Sequence, residues 1–143
     1  REGGHIMNDL LGRLDAITAS LAEIQTGWPE VIKTHEERLR GKIAEITQSV
    51  AVDETRVLQE IAIYMERVDI SEEIVRLTGH LDNFRGTLAS LEPMGRKLDF
   101  IIQEMVRETN TIGSKSNDLY INERVIGIKV EIEKMREQVQ NVE

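Results

Sequence analysis

Ile6, Leu10, Leu14, Ile17, Leu21 and Ile24 follow one another in steps of four, four, three, four and three, an apolar seam of period near 3.5 that marks one face of a helix. The same alternation returns at Ile74, Leu77, Leu81, Phe84, Leu88 and Leu91, and again at Val125, Ile128, Ile132, Met135, Val139 and Val142. No stretch sustains the period of two that a half-buried strand requires. The sequence therefore predicts an all-α protein: an elongated helical bundle with an N-terminal antiparallel coiled-coil hairpin. No sequence unit repeats, so a solenoid is not indicated.

Punctuation divides the seams. Gly27, Trp28 and Pro29 interrupt the first one, with Gly at a helix exit and Pro near the next start. Ile32, Leu39, Ile43, Ile46 and Val50 carry the repeat onward, and a short link between two such helices implies an antiparallel hairpin, with Trp28 packed at its tip. Asp53 can cap the next helix, which carries Val57, Leu58, Ile61 and Met65, and Glu54 stands in its favourable first turn. Asp69 and Glu72 have the spacing of a capping box, so the chain should bend near Val68 and restart. Glu92 and Pro93 should end the helix that follows. A further helix is expected over residues 94–110, then a polar loop at 113–117. On this reading residues 1–52 form a hairpin arm and residues 53–143 a helical domain. Because the chain starts at Arg1 with its periodicity running by Ile6, it is expected to be a piece of a longer protein.

Composition removes several classes. No cysteine is present, so disulfides and thiolate-ligated zinc are excluded. No run of about 18 apolar residues occurs, which argues against a membrane span, and no signal peptide opens the chain. Cytoplasm is the default compartment. Aromatic residues make up 3% of the chain, too few and too scattered to stack several bases. The net charge of -8 disfavours nucleic acid as a partner of the chain taken as a whole. That charge is uneven. Over residues 94–118, Arg96, Lys97, Arg107 and Lys115 balance Asp99, Glu104, Glu108 and Asp118, so all excess acid lies elsewhere.

The balanced segment holds the residues best suited to chemistry. Glu104 and Glu108 stand one turn apart, where like charges repel by a few tenths of a kcal/mol, and could share a divalent cation through oxygen ligands. Alternatively they belong to a solvated face that Arg107 and Lys97 partly neutralise. Glu72, Arg76 and His80 form an i, i+4, i+8 stripe, and a histidine there can move a proton, bind a metal or simply pack. Arg96 and Lys97 sit at a helix start, slightly disfavoured by the dipole, which either phosphate contacts or ion pairs would explain. Asp99, Gln103 and Arg107 form another such stripe. Asn110, Thr111, Gly113, Ser114, Lys115 and Ser116 invite comparison with an anion-binding loop, although Gly-Lys-Ser/Thr is absent and no strand precedes it. No Ser-His-Asp or Cys-His nucleophilic arrangement can be argued.

The order GRKLDF, QEM, Arg107-Glu108, NTIGSKSND and the closing EKMREQVQN resembles the C-terminal signature of the YicC-like family of bacterial endoribonucleases, and SEEIVRLTGHLDNF resembles a second family block. The similarity is strongest over residues 69–143 and looser through RLDAI and ERLRGKI. The resemblance implies the C-terminal half of a metal-dependent ribonuclease that closes around RNA as a homo-oligomeric ring, described as a hexamer. It implies Mn2+ or Mg2+ as cofactor and RNA as partner. Carried onto this chain, it points to Glu104, Glu108 and His80 as catalytic and metal-holding residues. Arg76, Arg96, Lys97, Arg107, Lys115 and Asn117 would then contact substrate. The competing reading is a non-catalytic helical module for oligomerisation or interaction, since the seams alone require no chemistry.

Overall fold

The computed structural model describes residues 2–48, 51–90 and 95–142, which form five helices and no strand among the described residues. They are α1 (Glu2–Ile46), α2 (Glu54–Val68), α3 (Ser71–Leu88), α4 (Gly95–Ser116) and α5 (Leu119–Val142). Four of the predicted apolar faces are buried: Leu10, Leu14, Ile17, Leu21 and Ile24 of α1 share one core with Ile74, Leu77, Leu81 and Phe84 of α3, Leu98, Ile101, Ile102 and Met105 of α4, and Val125, Ile128, Ile132 and Met135 of α5. The seam expected from Ile32 onward is not: Ile32, Leu39 and Ile43 are half-buried, Ile46 is exposed and Val50 lies outside the described residues. α1 packs on α3 and α5, and α4 packs on the same two helices, so the four close into a bundle. Ion pairs fix the directions. Arg13 meets Glu131 at 2.9 Å and Arg124 meets Glu23 at 3.4 Å, which sets α1 antiparallel to α5, while Arg85 meets Asp15 at 2.7 Å, which ties α3 to α1.

The expected break at Gly27-Trp28-Pro29 is not there, because α1 runs through Pro29 without interruption. An internal proline removes one backbone hydrogen bond and costs about 3 kcal/mol. Here Pro29 and Gln25, whose carbonyl loses its donor, both face solvent, so water can satisfy the carbonyl. On the core-facing side Ile24 and Trp28 are buried in the core with Ile32 packed against it, and each buried side chain contributes about 1.5–3 kcal/mol. Burial outweighs the proline. Trp28 is accordingly a core residue in mid-helix and not a hairpin tip.

The hairpin itself forms further along. At 45 residues α1 is about 67 Å long and outruns the bundle. Among the described residues α2 returns along α1, with Val57 and Glu60 beside Ile43 and Tyr64 beside His35 and Leu39. Asp53 caps α2 as expected, its side chain accepting the backbone N–H groups of Thr55 at 3.0 Å and Arg56 at 3.4 Å. Ile61 is the buried residue of α2.

At the α2–α3 junction the chain restarts near Val68, yet the reciprocal capping box does not form. Asp69 accepts from the Ser71 backbone at 3.0 Å and the Ser71 hydroxyl at 2.6 Å, while Glu72 turns to Arg76. The residues expected to end the next helix, Glu92 and Pro93, lie outside the described residues. The polar loop expected at 113–117 is also displaced, since α4 continues to Ser116. The hydroxyls of Thr109 and Thr111 bond back to carbonyls four residues earlier, and Ile112 and Ser116 are buried on the core side. Asn117, at a φ of 45°, then supplies the left-handed residue that ends a helix, and Asp118 caps α5 by accepting the Ile121 N–H at 3.0 Å.

Candidate functional site

α3 and α4 are neighbours along the bundle and run antiparallel, with Arg76 opposite Glu108 and Glu73 opposite Lys115. Their register decides which polar groups meet. One turn of α4 presents Glu104 and Glu108, and α3 presents His80 against them. One ligand atom from each of the three lies within 4.8 Å of the other two. Two atoms bound to a single small divalent ion at about 2.1 Å are at most about 4.2 Å apart, so closing on such an ion takes an inward shift of a few tenths of an ångström.

Burial separates the three. Glu108 is 5% exposed, and Glu104 and His80 are half-buried. Nε2 of His80 is buried and has no hydrogen-bond partner among the described residues, a costly state for a ring nitrogen. Among the described residues Glu108 has only Arg76 as a counter-charge, at 3.7 Å, and Glu104 has only Arg107, at 3.8 Å. These are longer than charge-assisted hydrogen bonds, so both carboxylates keep acceptor capacity. The cluster can accept a cation or a proton.

A second group of charges adjoins it. Arg76 reaches Glu72 at 3.1 Å and Glu73 at 3.9 Å as well as Glu108. Glu73 is buried and receives Lys115 at 3.0 Å, and the Lys115 ammonium also donates to the Asp69 carbonyl at 3.2 Å. The Ser71 hydroxyl and backbone N–H, together with the Lys115 charge, hold the Asp69 carboxyl below its ordinary range against the opposing effect of burial.

Residues 24–143 match the family described as Endoribonuclease YicC-like, C-terminal. The chain belongs to this YicC-like family. Across 143 residues it is 42% identical to a protein of Clostridioides difficile (strain 630) named "Probable endoribonuclease YicC", a match covering 99% of this chain and 49% of that protein. It is 36% identical to a Haemophilus influenzae protein of the same name, over 100% of this chain and 49% of the relative. The chain thus spans about half the length of the curated relatives it matches.

In this YicC-like domain the other predicted contact residues are dispersed. Arg76 adjoins the His80–Glu104–Glu108 cluster, and Arg107 is largely exposed beside Glu104. Arg96 and Lys97 are exposed in the first turn of α4, roughly two turns before Glu104, and are in no ion pair among the described residues. Lys115 is held by Glu73. Asn117 lies past the end of α4, lining a cleft with His35 and Arg38. Sequence reasoning passed over two buried polar residues, Glu73 and His35. Both carry a signal: Glu73 lies four residues before Leu77 on the α3 seam, and His35 falls between Ile32 and Leu39 on that of α1. A charged or titratable side chain in seam register must find a partner or a ligand. The described residues contain no helix long and apolar enough to cross a membrane.

Proposed function

We propose that this domain belongs to an RNA-hydrolysing endoribonuclease and that His80, Glu104 and Glu108 hold its divalent cation, Mn2+ or Mg2+. The observation that supports this most directly is the convergence of the three ligand atoms within 4.8 Å around a buried, unpartnered ring nitrogen. Two carboxylates and an imidazole suit manganese or magnesium better than a soft metal, and no thiolate is present to favour one. A cation held there supplies positive charge where negative charge develops as a phosphodiester is cleaved.

The chain's own residues divide the remaining tasks. Glu108, buried and acceptor-rich, is the anchoring ligand, and Glu104, more accessible, is the ligand nearest to arriving substrate. His80 is either the third ligand or the group that passes a proton, and its buried Nε2 suits the first role. Arg76 is half-exposed, so it can present guanidinium N–H groups to a phosphate while still facing Glu108. Arg107, Arg96 and Lys97 extend this positive face along α4. Assembly into a homo-oligomeric ring is part of the same reading, and exposed Val75, Phe100 and Ile126 on three helices offer apolar surface for it.

The test is manganese binding to the purified chain, read by loss of the free-ion electron paramagnetic resonance signal, together with RNA cleavage by the full-length protein. Glu104→Gln, Glu108→Gln and His80→Ala should each weaken manganese binding at least tenfold and reduce cleavage at least a hundredfold, while the helical circular dichroism is kept. Cleavage and manganese affinity unchanged in all three would leave only a helical interaction module.

A further inference from the structure

Where the α1–α2 arm leaves the bundle, a cleft of about 300 Å3 is lined by His35, Arg38, Leu39, Lys42, Tyr64 and Asn117. Arg38 and Lys42 stand one turn apart on α1, where like charges repel, and neither is in an ion pair among the described residues. In a chain of net charge -8, no described carboxylate lines this cleft. The remaining polar groups are a phenol hydroxyl, a carboxamide and an imidazole. Because the Ser116 carbonyl can only accept, Nε2 of His35, 2.6 Å away, carries the hydrogen. That bond ties the cleft to the end of α4. Asn117, itself the left-handed residue that ends the same helix, lines the cleft beside it.

A pocket presenting a guanidinium, an ammonium and neutral donors, with no acid, matches an anion with several oxygens. We propose that this cleft seats a phosphate group of the RNA strand, separate from the His80–Glu104–Glu108 cluster. Its identity as an RNA phosphate rests on the function proposed above. Ser116 follows Glu108 by eight residues, so the two places are about 12 Å apart along α4. One strand can reach both. Arg38 and Lys42 contribute charge, while Tyr64 and Asn117 contribute directional donors. The cleft would hold the strand in register without entering the chemistry.

The experiment measures fluorescence anisotropy of a short labelled oligoribonucleotide titrated with the chain, in EDTA and over a series of salt concentrations. Arg38→Gln/Lys42→Gln should bind about tenfold more weakly, with the slope of log affinity against log salt reduced by about 0.7, the loss of one neutralised phosphate on a single strand. Lys129→Gln/Lys134→Gln, which removes the same charge from exposed positions on α5, should stay within about twofold of the parent. A cleft variant indistinguishable from the α5 control overturns the proposal, and so does a parent chain that binds no RNA. Inorganic phosphate forms a separate arm, followed by 31P line broadening. Broadening that depends on Arg38 and Lys42, with RNA affinity unmoved, would assign the cleft to a free phosphate compound and also overturn the proposal. Manganese binding by Glu104→Gln is read independently, so failure of the metal reading and failure of the phosphate seat are distinct results.

Discussion

Glu73 is a carboxylate on an apolar seam, 4% exposed, with Oε2 on Lys115 and Oε1 buried without a hydrogen-bond partner among the described residues. Removing one member of a buried pair leaves an uncompensated charge and typically costs 3–5 kcal/mol, whereas replacing both members with apolar groups is often neutral. Lys115 keeps about 30% of its side chain in solvent and Arg76 lies 3.9 Å away, so the cost here is set lower. Lys115→Met should destabilise the chain by about 2 kcal/mol, and Glu73→Met/Lys115→Met should recover most of it, as read by urea denaturation. A single variant as stable as the parent would show that Lys115 is free for substrate and not committed to the fold. Residue spacing could place Glu104 and Glu108 on one face because both belong to one helix. It could not show that Lys115 is engaged by Glu73, since that contact depends on the α3–α4 register. His80 meets the two glutamates through the same register, and the sequence singled it out by family resemblance rather than by spacing.

Helix boundaries were harder to read than helix identity, and α1 shows why. Propensity puts a stop at Pro29, yet the helix persists because its apolar face is buried on both sides of the proline. Pro29→Ala restores a donor for the Gln25 carbonyl and gives up the stiffness that proline lends the unfolded chain, worth about 0.4–1 kcal/mol. The net expectation is a gain of about 2 kcal/mol against a penalty near 3 kcal/mol for an internal proline. Thermal unfolding measures it, and an unchanged or lower midpoint would mean that the helix already accommodates proline without cost. The seams of α3 and α5 were legible from Ile74 to Leu88 and from Val125 to Val139 because nothing interrupts them, while Leu91 lies outside the described residues. The end of α4 was not, since Thr111 and Ser114 read as turn formers by composition, while in the fold their hydroxyls bond back onto the helix and Gly113 allows a close approach to Val125. A Cβ at Gly113 would lie 3.2 Å from Val125 Cγ1. Tertiary packing, which local patterns do not contain, decided both places.

Across the whole molecule two regions differ in how much apolar surface holds them. The bundle of α1, α3, α4 and α5 owns the continuous core, while the arm formed by the far part of α1 with α2 contributes Ile61 as its buried apolar residue and leaves Ile46, Val52, Leu58 and Ile63 exposed. Hydrogen exchange reports local opening, whose free energy follows the buried contacts that must be broken. Amides of α2 and of residues 36–46 should therefore exchange through openings several kcal/mol smaller than those of α3 and α4, which should approach the global unfolding limit. His35 sits at the boundary, bonded to Ser116, so it couples the arm to the end of α4. If the cleft between them seats a phosphate, adding the oligoribonucleotide in EDTA should slow exchange in the arm first and leave the mid-bundle amides unchanged. Uniform protection across both regions without ligand would mean that the arm draws its stability from the bundle as one cooperative unit, and a strand bound at the cleft would then have no separate element to steady.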